Sequence, residues 1–102
     1  DISEMSMYEY YAVIEKMKEE GDKDYSYIVD FPDLENVFTD GESLQDAIVQ
    51  AEDVLALMLT VFEDNGDVIP APSSVEQLKD IVNQGASLVL IEVDTEEYRK
   101  AV

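Results

Sequence analysis

No cysteine and no histidine occurs in this 102-residue chain. Without cysteine there is no disulfide framework and no thiolate metal site. Without histidine the commonest general base is gone, and with it the Ser–His and Cys–His pairs of nucleophilic catalysis. Bases are nearly as scarce: six Lys and Arg against 25 Asp and Glu leave a formal net charge of −19, and Arg99 is the only arginine. Such a field repels nucleic acid and anionic lipid and attracts a basic partner. No apolar run approaches the ~20 residues of a membrane span and no basic-then-apolar leader opens the chain, so it reads as cytoplasmic. The four glycines are scattered, and neither G-x-x-x-x-G-K-[ST] nor G-x-G-x-x-G occurs, which leaves no phosphate cradle. A calcium loop built around Gly66 fails because it would place Val61 first and Pro72 twelfth. No cofactor is expected. Asp1 to Ser6 are given no structural weight, since a chain opening on Asp rather than Met has been processed, trimmed or engineered.

What is present argues for a folded domain. Apolar residues make up 46% of the chain, with six Tyr and three Phe, far too many for an acidic disordered tail. At this length one domain spanning 1–102 with one core is expected. Tyr8 to Met17 reads as a strand with Tyr10, Ala12 and Ile14 on one face and Tyr11 and Val13 on the other. Both faces are apolar, which predicts a strand covered on at least part of both sides. The polar run Lys18 to Asp24 is a hairpin connection to a second strand, Tyr25 to Phe31, with Tyr25, Tyr27, Val29 and Phe31 sharing a face; Pro32 ends it. A short strand around Val37, Phe38 and Thr39 precedes the Asp40-Gly41 turn.

Ser43 is a helix N-cap with Asp46 three residues on. Leu44, Ile48, Ala51, Leu55, Met58, Leu59 and Phe62 then form a stripe about 100° wide, which must lie on the sheet. Ala47, Val54, Leu57 and Val61 widen the apolar arc to roughly 200°, more than one sheet can cover. Either a second helix packs on that flank, or Leu57 and Val61 mark a self-association surface. Asn65-Gly66 stops the helix, and Ile69-Pro70-Ala71-Pro72 is an extended connector. Ser73 or Ser74 caps a second helix whose apolar face is Val75, Leu78, Ile81 and Val82, closed by Asn83-Gln84-Gly85. Ser87 to Val93 is a final strand, continuously apolar from Leu88 to Ile91 and so expected to be buried on both faces. The order is β-β-β-α-α-β, an α+β fold with helices layered on one face of a sheet.

Among the side chains, only carboxylates remain as candidate chemistry. A β-β-β-α order opens the RNase H fold, whose strand-borne acids hold metal ions for phosphodiester hydrolysis. Asp30, Asp40 and Glu52 could be such a set, but there are no bases to hold a nucleic-acid backbone. Tyr10, Tyr11, Tyr25 and Tyr27 would make a base-stacking platform only beside a cationic groove, and the sequence offers none.

Several segments are similar, in order, to the HicB family of antitoxins: Tyr10-Tyr11-Ala12-Val13-Ile14-Glu15-Lys16, Phe31-Pro32-Asp33-Leu34, Phe38-Thr39-Asp40-Gly41-Glu42-Ser43, and Glu63-Asp64-Asn65-Gly66 running into Ile69-Pro70-Ala71-Pro72-Ser73-Ser74. The pattern departs at Glu35-Asn36-Val37, where a Pro-Gly-Cys turn is common in the family. The resemblance implies a partial RNase H-like sheet without the catalytic set. It also implies a partner: a small basic HicA-type toxin, an mRNA endonuclease of dsRNA-binding fold. On this reading Asp30, Asp33, Glu35, Asp40 and Glu42 are the candidate toxin contacts, a homo-oligomer is expected, and no residue is catalytic. Family members usually continue into a ribbon-helix-helix or helix-turn-helix domain that binds operator DNA for autoregulation. Before Arg99 only four lysines face all 25 acids, so these 102 residues alone are expected not to bind DNA. A divergent metal-dependent nuclease and an acidic nucleic-acid mimic aimed at another basic protein are the alternatives.

Overall fold

The computed structural model describes residues 6–18, 20–82 and 85–102. Strand β1 (Met7–Met17) pairs antiparallel with β2 (Ser26–Asp30) on one side and with β4 (Ala86–Asp94) on the other, while β3 (Phe38–Gly41) pairs antiparallel with β2. The order across the sheet is β3-β2-β1-β4. Helix α1 (Leu44–Asn65) lies on one face, followed by the single turn α2 (Val75–Leu78) and, after β4, by α3 (Thr95–Ala101). The α+β layering expected from the sequence is therefore what forms.

Period-two alternation builds the inner face. Tyr10, Ala12 and Ile14 are buried, and the register Ile14↔Val29 and Tyr10↔Ile91 places the buried residues of β2 and β4 beside them. From above, α1 contributes Ala47, Ala51, Leu55 and Leu59, all fully buried, and the β2–β3 loop adds Phe31, Leu34 and Val37. Fully burying a Leu or Phe side chain contributes about 1.5–3 kcal/mol, so this layer carries the fold. Ser43 caps α1 by accepting from the Asp46 N–H. The Asp46 carboxylate accepts from the Glu42 N–H rather than from that of Ser43, so the capping box is displaced by one residue. Gly66 ends the helix in the left-handed region at φ 68°, where glycine has no Cβ to strain.

Four expectations are corrected. All helices sit on one side; the second face of β1 (Tyr11, Val13) is half-buried, in keeping with partial cover, but Leu90 of β4 is exposed, so the continuous apolar run of β4 is not covered on both faces. Tyr25 precedes β2 and is exposed, so only Val29 and Phe31 of its expected face are fully buried. The second helix is one turn long. Its capping box, Ser74 with Gln77, forms as expected, but of its apolar face Val75 and Ile81 are exposed and Leu78 alone is buried. Asn83 and Gln84, which were to close it, lie outside the described residues. Finally, α3 was not anticipated, although Asp94 caps it through the Glu96 and Glu97 N–H groups, with acids in its first turn and Arg99 and Lys100 in its last, a charge order that suits the helix dipole.

Candidate protein-binding surface

The five candidate acids do not share one environment. Asp30 and Asp40 both project from the uncovered face of the sheet, in adjacent rows set by the pairs Asp30↔Phe38 and Ile28↔Asp40. Glu35 is exposed within the β2–β3 loop and Glu42 is exposed just after β3. Asp33 is different. Its carboxylate accepts from the Ser73 N–H at 2.7 Å and from the Ser73 hydroxyl at 2.6 Å, tying the proline connector to the β2–β3 loop. The Tyr10 hydroxyl donates to the Pro70 carbonyl nearby. Asp33 is thus committed to holding the loop, and burial together with the Asp33 charge pushes the Tyr10 phenol up. At the foot of this loop Asn36 takes φ 63°, the left-handed conformation that glycine or asparagine tolerates best.

Glu52 lies exposed on α1, on the opposite side of the sheet from Asp30 and Asp40, so these three acids cannot converge on a metal ion. Among the described residues no group of three or more acids forms a metal-binding cluster. The tyrosines are dispersed too. Tyr10 is buried and Tyr11 lies on the uncovered face, whereas Tyr25 and Tyr27 stand at the hairpin, with the Lys16 ammonium 4.4 Å from the ring centre of Tyr25. Such an arrangement braces a turn. On the outward side of α1, Leu57 is 44% exposed and Val61 37%. The one-turn α2 leaves that flank open.

A polar node unites the two ends of the sequence. Glu63 of α1 accepts from the Tyr8 hydroxyl at 2.8 Å, from Thr95 Oγ1 at 3.0 Å and from Arg99 Nη2 at 3.0 Å. Arg99 also reaches Asp64 at 2.9 Å and the Thr60 carbonyl at 3.2 Å. Ser6 joins in: its hydroxyl donates to Asp94 at 2.8 Å, and its carbonyl accepts from Thr95 at 3.2 Å. Burial pushes the Glu63 carboxyl up, but the bonds from Tyr8, Arg99 and Thr95 outweigh it and leave it below the ordinary range. The Tyr8 phenol is pushed up to about 12 by burial and by its bond to Glu63. Sequence reading missed this node because it discounted Ser6 and had no helix to carry Arg99.

These features define the class of the domain: an α+β fold with an antiparallel sheet, helices on one side and acids on the uncovered face. The sequence profile of the HicB-like antitoxins of bacterial toxin–antitoxin systems matches residues 10–102, and the chain belongs to that family. Among solved structures, it is similar to a chain in a toxin–antitoxin complex from Streptococcus pneumoniae, with TM-score 0.75 and 22% identity over 90% of this chain and 72% of the other. The N-terminal domain of Burkholderia pseudomallei antitoxin HicB gives TM-score 0.65 and 24% identity over 85% of this chain and 99% of the other. A chain of the HicA3 and HicB3 toxin–antitoxin complex gives TM-score 0.61 and 23% identity, with the same coverage of 85% and 99%. No curated protein matches the sequence. Among the described residues no helix is long and apolar enough to cross a membrane.

Proposed function

We propose that this chain neutralises a small, basic HicA-type mRNA endonuclease by direct protein contact, in the cytoplasm and without chemistry of its own. Charge is the observation that carries the reading: on an antitoxin frame, 25 acids against six bases match a partner whose surface must hold polyanionic RNA. The asymmetry also supports assigning operator binding to a separate basic domain. The expected result is that an equimolar amount of this chain abolishes RNA cleavage by the toxin, while the chain alone leaves RNA intact with Mg²⁺ or Mn²⁺. Undiminished cleavage would remove the proposal. Association should be fast and should slow steeply as stopped-flow salt is raised from about 50 to 500 mM, because steering fades once the Debye length falls below ~8 Å. Dissociation should change less. An on-rate flat in salt would leave the charge a role in solubility only.

The open α1 flank supports self-association as a second element of the proposal. Leu57→Lys should give a folded monomer by light scattering where the unaltered chain gives a dimer or larger assembly. A monomeric unaltered chain would leave the flank without that role.

A further inference from the structure

The sheet face turned away from α1 carries more than acids. Strand register places Val13 between Asp30 of β2 and Leu88 of β4, with Phe38 of β3 beyond Asp30. The next row holds Tyr11 beside Leu90. Phe38 is 64% exposed and Leu90 41%, and Ile28 and Met17 are exposed on the same side. A free face of an antiparallel sheet is ordinarily polar at its outward positions. This one is apolar at Phe38, Val13 and Leu88 in one row and at Tyr11 and Leu90 in the next, with Asp30 set between Phe38 and Val13.

The rim has one sign. Glu9 and Glu92 face each other at one end, and Glu15 and Asp40 lie towards the other. No position on this face holds a lysine or arginine, and Lys16 falls on the inner side, beside Tyr27. A second copy would set these acids against their own kind, in a chain already at −19, and like charges across an interface cost several kcal/mol. A basic protein meets no such penalty. An apolar, aromatic-containing centre inside a charged rim is also the anatomy of a binding interface.

We propose that the toxin docks on this face, with Phe38, Leu90, Leu88 and Tyr11 as its buried anchors. Asp40, Glu9 and Glu92 meet the toxin's lysines and arginines around them, and Asp30 meets one within the row of Phe38 and Val13. The inference rests on the antitoxin reading above and adds a surface to it. It also divides the work: the acids govern arrival, and the apolar anchors govern residence.

The test uses a catalytically inactive HicA-type toxin. Phe38→Lys and Leu90→Lys should each weaken equilibrium binding at least about tenfold, chiefly by faster dissociation. Asp30→Asn should mainly slow association, and Leu57→Lys on the helix flank should bind as the unaltered chain does. In hydroxyl-radical footprinting of the unaltered complex, Tyr11, Met17 and Phe38 should be protected and Val49 should not, a readout that needs no variant to fold. Wild-type affinity in both lysine variants, or protection confined to α1, would overturn the assignment of this face. No binding by the unaltered chain would instead remove the antitoxin reading, and this inference with it.

Discussion

Gly41→Ala is expected to destabilise the fold by about 3 kcal/mol, at the upper end of what overpacking costs, and to lower the thermal midpoint by roughly 15 °C. A Cβ on Gly41 would sit 2.6 Å from Ala47 Cα and 2.9 Å from the Asp46 carbonyl carbon, and closer still to Ala47 N. These are main-chain atoms in the first turn of α1, so no side-chain rotation relieves the clash. Ala47 is fully buried and cannot retreat. Either β3 parts from β2, or the start of α1 lifts from the sheet. Gly66→Ala is the control: nothing lies within 4 Å of a Cβ there, and only the strain of the left-handed backbone, about 1 kcal/mol, is expected. Thermal and urea melts of the two variants decide the matter. Equal losses would mean that the contact between β3 and α1 has slack.

Glu63→Ala is expected to cost about 1–2 kcal/mol in urea unfolding, since it removes the acceptor of the Tyr8 hydroxyl, while Thr95 keeps the Ser6 carbonyl and Arg99 keeps Asp64 and the Thr60 carbonyl. The same node sets two pH limits. The Glu63 carboxyl is held below its ordinary value of 4.5, so its contribution is present above that value and is lost as the pH falls through the lower folded value. The Tyr8 phenol is raised from 10.0 to about 12, so its contribution is whole below pH 10 and is lost as the pH climbs towards 12. Protonating the other acids relieves self-repulsion, so the informative quantity is the difference between the unaltered chain and Glu63→Gln. That difference should be constant through neutral pH and shrink at low pH. At high pH the variant should lose less stability than the unaltered chain, though burial alone keeps Tyr8 raised. A difference independent of pH would place the node outside the stability of the fold.

The legible parts of this fold were those governed by local rules. The alternation of Tyr10, Ala12 and Ile14, the Ser43 cap, the stripe through Leu55 and Leu59, and the Gly66 stop each depend on a few neighbouring residues, and each formed. The misread parts depended on what lay opposite. Leu88 to Ile91 is as apolar as a strand buried on both sides, yet no element is supplied to cover Leu90. Val75 and Ile81 have helical spacing, but one capped turn anchored by Leu78 alone does not propagate. Asp94-Thr95-Glu96-Glu97 followed by Arg99-Lys100 carried a helix signature, but the seven residues of α3 are too few to show an apolar period. At the candidate surface, composition gave the sign of the charge. It did not separate Asp33, which holds a loop, from Asp30 and Asp40, which face outward, because that depends on Ser73, forty positions away.

The Glu63 node also has a kinetic meaning. Its contacts join residues separated by 32 to 89 positions, so the loop they close is nearly the whole chain. Closing so long a loop early wins little against its entropy, so these bonds are expected to form after the strands and α1 have docked. Interactions made after the folding barrier slow unfolding and leave the folding rate almost untouched. The knot at Glu63 therefore acts as a latch: it governs how long a folded molecule persists, and hence how long it resists a protease that attacks the opened chain.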